Sequence, residues 1–174
     1  MSPAIGIDPG AGGAIAIIDD DKYQVEDIPN FIKLKKTKRR GKPATVREKK
    51  LDEPGLIKLL DGIDRSIPVF VERVGVMPGQ GNVSGANFIG VFQFIRGVLM
   101  AQGFEVILVT PQTWKKHHGI INSGLGDYQK KKLGVELARK LFPMASLERV
   151  SEDCDRADAL LIASYGVALL DRQG

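Results

Sequence analysis

Apolar and polar residues alternate along this chain in short blocks, and the period changes from block to block. Ile5 to Asp8 is a short apolar run that stops on an acid, which predicts a buried strand. Pro9-Gly10-Ala11-Gly12-Gly13 breaks it with a turn too rich in glycine for regular structure. Ala14 to Ile18 predicts a second strand, and Asp19-Asp20-Asp21 the next turn. Tyr23 to Ile28 predicts a third strand, and the short connections make these three an antiparallel meander.

From Lys33 to Lys50 no apolar periodicity is visible, so that stretch is expected to be a loop or a mobile hairpin. Proline in a first turn then predicts a helix beginning near Glu53-Pro54, with Leu56, Ile57, Leu59, Leu60 and Ile63 as its apolar face. Pro68 to Val71 is another buried strand ending on an acid, Glu72. Val76 to Ala86 is rich in glycine and polar residues and reads as loop. Phe88 to Gln102 reads as a long apolar helix, Val106 to Val109 as a strand and Pro111 to His118 as a short helix. After a loop at Asn122 to Gly126, Asp127 to Leu141 predicts a basic amphipathic helix stopped by Pro143, and about Glu152 to Leu170 a last helix. Strands first, then helices alternating with strands, give an α/β chain with a mixed sheet and helices on its faces. No repeat, low-complexity tract or second domain is evident, so residues 1–174 are expected to form one domain.

Charge sharpens this outline. The overall net charge is +4 over 174 residues, but the Lys33 to Lys50 stretch holds ten basic residues against Glu48 alone. That is a local +9, which leaves −5 for everything else. A basic segment on an acidic body points to a polyanion held by one arm, against the plainer reading of a solvated loop. No run approaches the ~20 apolar residues of a membrane helix, and Met1 to Ile5 has no basic flank of the signal-peptide kind. The single cysteine, Cys154, cannot form an internal disulfide, and a reducing cytoplasm is the expected compartment.

Four acids stand against apolar elements: Asp8 and Glu72 at strand ends, Asp155 and Asp158 on the last helix. Three residues apart, the aspartates share a helix face and would repel one another. A hard divalent cation such as Mg²⁺, with oxygen ligands, resolves such a conflict, and a pair of them suits phosphodiester cleavage. Taken singly, each acid is better read as a turn residue or a helix cap, and only the set brings the two readings level.

The order and context of these acids resemble those of RuvC-type Holliday-junction resolvases. Ile5-Gly6-Ile7-Asp8-Pro9-Gly10 is similar to the family's opening strand, and Val71-Glu72-Arg73 to its central-strand glutamate. Asp155-Arg156-Ala157-Asp158 followed by Ala159 to Ala163 is similar to its last helix. Met77 to Gly81, the helix with Gly90 and Gly97, and Val109 to Lys116 resemble a phage-type branch. The resemblance implies an RNase H-like fold, with a central mixed five-stranded sheet flanked by helices, in a bacterial or phage-infected cell. It implies Asp8, Glu72, Asp155 and Asp158 as catalytic ligands of two Mg²⁺ or Mn²⁺ ions, with Asp155 at a position where relatives carry either aspartate or histidine. It further implies a homodimer, with one active site per subunit, that nicks a four-way DNA junction in symmetric pairs and leaves 5′-phosphate and 3′-hydroxyl ends. No small-molecule cofactor and no membrane partner are expected.

The basic segment departs from the family core as an added DNA-gripping arm, with Lys35, Lys36, Lys38, Arg39 and Arg40 as its contacts. Further DNA-contact candidates are Gln80, Asn82 and Ser84 in the glycine-rich loop, and Lys115, Lys116 and Lys131, with Lys130 and Lys132 beside it. Adjacent His117 and His118 point to different sides and suit surface or phosphate contact better than a shared metal. Trp114 reads as a core anchor, and Cys154 as incidental to Asp155. Phe88, Phe92, Ile95 and Leu99 could form a dimer seam or ordinary core. Two other functions share parts of this pattern: an RNase H-type hydrolase of RNA–DNA hybrids, and an actin-like nucleotide-binding protein. The latter needs a second domain that 174 residues do not provide.

Overall fold

A computed structural model of the chain describes residues 1–39, 42–75, 82–121 and 124–173, without the side chains of residues 38, 39 and 82–84. The elements in order are β1 (Ala4–Asp8), β2 (Ala14–Asp19), β3 (Lys22–Asp27), β4 (Asn30–Arg39), β5 (Lys42–Leu51), α1 (Glu53–Asp61), β6 (Val69–Glu72), α2 (Asn82–Ala101), β7 (Val106–Val109), α3 (Pro111–His117), α4 (Asp127–Leu141) and α5 (Val150–Leu170).

The main sheet has the order β3-β2-β1-β6-β7. Strands β1 to β3 pair antiparallel, while β6 and β7 run parallel to β1, so the sheet is mixed and five-stranded as expected. Its two faces carry two apolar clusters. Ile5, Ile7, Val69 and Val71 pack with Leu56 and Leu60 of α1 and with Phe92, Ile95 and Leu99 of α2. Ala4, Ala14, Ala16 and Phe70 pack on the other face with Trp114, Val135, Ala138 and the inner side of α5. Phe92, Ile95 and Leu99 therefore belong to the core; of the four apolar residues considered for a dimer seam, Phe88 alone is exposed.

How close α5 comes to β1 depends on a missing side chain. A Cβ on Gly6 would lie 2.3 Å from the Ala159 carbonyl oxygen and 2.3 Å from the Ala163 nitrogen. Both are backbone atoms with no freedom to yield, so only glycine lets the helix settle this deep.

The basic stretch is a hairpin of two ten-residue strands, β4 and β5, paired from Asn30↔Leu51 to Arg39↔Lys42 in a sheet of their own. Apart from Leu51 at its foot, which joins the α1–α2 side of the core, neither face covers a core, and Phe31, Ile32 and Leu34 remain exposed, which is why no apolar period marked it. Helix α2 begins at Asn82 rather than Phe88. Glycine, asparagine and serine weaken local helix preference, but burial of the Phe92, Ile95 and Leu99 stripe fixes the element. Helix α5 begins two residues early as well. The Asp153 carboxylate accepts a hydrogen bond from the Arg149 backbone N–H at 2.6 Å, satisfying a donor at the helix start.

Candidate active site

The positions of the four acids follow from sheet register. Strands β1 and β6 are parallel neighbours with Ile7 opposite Val71, so Asp8 and Glu72 extend the two strands at the same end. Alternation along a strand puts Asp8 on the face of Gly6, and Glu72 on the face of Phe70, which is the face covered by α5. Ala159 lies over Gly6, so the turn of α5 before it brings Asp155 and Asp158 above the two strand ends. Glu72 also stands opposite Val109 of β7, from which the chain turns at Thr110 into α3. The Thr110 side chain caps that helix by accepting from the Thr113 N–H at 3.2 Å. Helix α3 presents Trp114 and Lys115 to the same region.

The four carboxylates feel one another. The Asp8 pKa is raised well above the ordinary carboxylate range, first by burial and then by Asp155, Asp158 and Glu72, with Lys115 opposing. Asp158 is pushed up to about 7, chiefly by burial; Lys115 pulls it back, while Glu72 and Asp155 add to the rise. Burial also raises Glu72, against Lys115 and the Trp114 indole N–H. Lys115 is thus the cation common to three acids. The Trp114 Nε1 is fully buried and has no closed hydrogen bond among the described residues. All four acids nevertheless keep some solvent exposure. Asp8 and Glu72 open onto a cleft of about 420 Å³ that also meets Arg73, Phe88 and Gln112; Asp155 and Asp158 are not among its lining residues.

Neighbouring residues restrict the donors to oxygen. Burial and then Asp155 push the Cys154 thiol up to about 11, and its Sγ donates to Asp155 Oδ1 at 3.1 Å. Cys154 is therefore a partner of Asp155 rather than incidental to it, and its protonated sulfur is a poor ligand. His118 Nε2 lies 2.8 Å from the Leu161 carbonyl oxygen, and the His117 ring packs edge-on to Tyr165. Both histidines serve to seat α3 on α5. A set of hard carboxylate oxygens suits a divalent cation of the Mg²⁺ or Mn²⁺ type. Among the described residues no group of three or more His, Cys, Asp or Glu side chains stands close enough together to hold a metal ion as placed.

Two contacts around the site were not evident from sequence. Arg156, between the two aspartates, turns away to the sheet edge and forks onto Asp27 at 2.6 and 3.0 Å. Gly134 of α4 leaves room for Asp158, whose Oδ1 would be 3.4 Å from a Cβ there.

The DNA-contact candidates are dispersed. Lys35 and Lys36 are exposed on the hairpin, Lys116 on α3, and Lys130, Lys131 and Lys132 on α4. Lys132 pairs with Glu136 at 3.6 Å, and Lys131 lowers the Asp158 pKa. Lys38 and Arg39 lie in β4, and Asn82 and Ser84 begin α2, with side chains outside the description; Arg40 and Gln80 fall outside the described residues altogether.

No family model matches the chain. A curated relative, Holliday junction resolvase MOC1, chloroplastic, from Chlamydomonas reinhardtii, is 30% identical over 99 residues, which is 56% of this chain and 11% of that protein. The chain thus spans a small part of that relative's length. Two solved structures match nearly end to end. Thermus thermophilus RuvC in complex with Holliday junction substrate has a TM-score of 0.55 at 12% identity, covering 97% of this chain and 96% of that one. A second T. thermophilus RuvC structure has a TM-score of 0.50 at 13% identity, covering 96% of each chain. At such identities the structural likeness is one of fold. In fold and in the matched stretch of sequence, this chain resembles the RuvC-type Holliday-junction resolvases.

Proposed function

We propose that the chain is a metal-dependent endonuclease that resolves four-way DNA junctions by paired symmetric nicks. The observation that carries this reading is the set of four carboxylates gathered at one end of an RNase H-like sheet, three of them sharing Lys115. In this reading Asp8, Glu72, Asp155 and Asp158 hold two Mg²⁺ or Mn²⁺ ions. Those ions supply an activated water and offset charge on the leaving oxygen when bound. Glu72 and Asp8 face the substrate cleft, while Asp155 and Asp158 supply negative charge from behind. Lys115 balances part of that charge and stands ready to favour the more anionic transition state.

The hairpin grips DNA, with Lys35 and Lys36 among its contacts; Lys131 flanks the acids, and Lys116 adds an exposed contact on α3. The protein works as a homodimer with one active site per subunit. The exposed stripe Ala86, Gly90, Gln93, Gly97 and Met100 of α2 is its seam, since it is uncovered and its small residues Ala86, Gly90 and Gly97 let a second helix approach.

The test is incubation with labelled four-way, forked and linear duplexes and an RNA–DNA hybrid, each with Mg²⁺, Mn²⁺ or EDTA. The expected result is paired nicks on the junction, with 5′-phosphate and 3′-hydroxyl ends, lost in EDTA. Preference for the hybrid, or cutting that survives EDTA, overturns it.

A further inference from the structure

The hairpin's root and the Asp8 turn leave the same end of the main sheet. Asp8, Ala14 and Asp27 stand side by side across β1, β2 and β3, and the Ile28 N–H donates to the Gly13 carbonyl at 2.8 Å. Three residues after Asp27 the hairpin is under way. Its returning strand passes back over the turn. An added Cβ on Gly12 would meet Lys49 Nζ at 2.8 Å and Lys49 Cδ at 2.9 Å, so this lysine lies flat across the bare face of Gly12.

Three observations make this contact more than packing. Lys49 is exposed and has no acidic partner among the described residues. The turn beneath it closes through Gly10 N–H to Asp8 O and Gly13 N–H to Gly10 O, while the Ala11 and Gly12 amides donate to nothing among the described residues. Finally, the two hairpin faces differ. Register and alternation put Lys33, Lys35 and Lys50 on one face together with Glu48, which pairs with Lys50 at 3.1 Å. The other face carries Lys36, Arg47 and Lys49 with no acid.

We infer that Lys49 and the free amides of the Gly12 turn form a phosphate-holding site beside Asp8, at the foot of a basic track formed by Lys36, Arg47 and Lys49. A DNA strand drawn along this face meets its last hairpin contact next to the acids. Lys49 therefore fixes where the backbone enters the active site, in addition to its share of affinity. Ammonium plus backbone N–H groups is a donor set suited to a phosphodiester. The inference rests on the nuclease reading above.

The test separates cutting from binding. Single-turnover cleavage of a four-way junction is measured at saturating protein for the wild type and for Lys49→Ala, Lys49→Arg, Lys35→Ala and Gly12→Ala. Lys49→Ala should slow cutting of the bound junction roughly tenfold, in the range that misplacement of a reacting group costs, and Lys49→Arg should restore most of it. Lys35→Ala, an equal loss of charge on the opposite face, should weaken binding without slowing the bound complex. Gly12→Ala keeps the charge but displaces the end of Lys49. It should slow cutting in the wild type and add little in Lys49→Ala. Neutral methylphosphonates placed one at a time beside the scissile phosphate should reveal one position that matters to the wild type and not to Lys49→Ala. A saturated Lys49→Ala complex that cuts at the wild-type rate overturns the inference alone. A wild-type protein that cuts no junction overturns the nuclease reading and this inference with it.

Discussion

The two charged regions of this molecule are built on opposite plans. The acidic end of the main sheet is dense: each carboxylate is held by a strand end or by α5, beneath a helix pressed close enough to exclude a methyl group. The basic hairpin is thin and largely solvated, and strand register places its lysines, with Lys50 held on Glu48 and Lys49 laid over the Gly12 turn. Reactive groups must be held in fixed geometry, and that needs a core behind them. Gripping a phosphate chain needs charge density and reach, which two exposed strands supply without a core.

The contrast is broken most sharply at Glu72. Glu72→Gln keeps shape and size but removes one carboxylate from the cleft. Cleavage should fall by about 100- to 1000-fold, the scale of losing one preorganised electrostatic group, with junction affinity retained; gel-shift and nicking assays on the same preparation check both. Next comes Gly6→Ala, which pushes a methyl group into the α5 backbone. Overpacking of this kind should cost at least ~3 kcal/mol, read by denaturant unfolding, and should take cutting with it. The hairpin has no counterpart to this mutation.

Removing residues 33–50 should weaken junction binding by about 10- to 100-fold at physiological salt and flatten its salt dependence. The melting temperature should barely change, since these residues cover no core. A matched salt titration and thermal melt would show whether grip and fold separate in this way.

The smallest effect concerns pH. A solvated aspartate titrates near 3.8, and burial pushes Asp158 up to about 7 in the folded protein. Between these values the folded state binds the extra proton, so stability should fall as pH rises from about 4 to about 7 in divalent-free buffer. Mg²⁺ or Mn²⁺ should recover several degrees of melting temperature near pH 7.5, and Asp158→Asn should flatten the profile. A melting temperature that climbs steadily over that pH window would contradict the electrostatics of the acidic end.

Much of the acidic end was legible in the chain. Apolar runs stopping at Asp8 and Glu72 gave the strand ends, and the acids three apart on an apolar helix gave the third side. β7 at Val106–Val109 and α4 at Asp127–Leu141 also lie where periodicity put them. What stayed hidden depends on tertiary packing. Nothing local says that Lys115 faces three acids while Lys116 faces solvent, or that His118 is taken up by the Leu161 carbonyl. The hairpin could not be told from a loop, because a ribbon with two wet faces has no buried period to detect. The first turns of α2 were lost to glycine and asparagine, whose weak local preference the buried stripe overrides.

Arg156 carries one more consequence. It belongs to the same short stretch as Asp155 and Asp158 but faces the opposite edge of the sheet, where it forks onto Asp27. Each added residue turns a helix by about 100°. Inserting or deleting a single amino acid between Arg156 and Ala163 would therefore rotate the acids and their anchor away from their targets together. This stretch should accept many side-chain exchanges on its outer surface and almost no change of length, so variation in the molecule's size is expected to accumulate in the hairpin and not in the last helix.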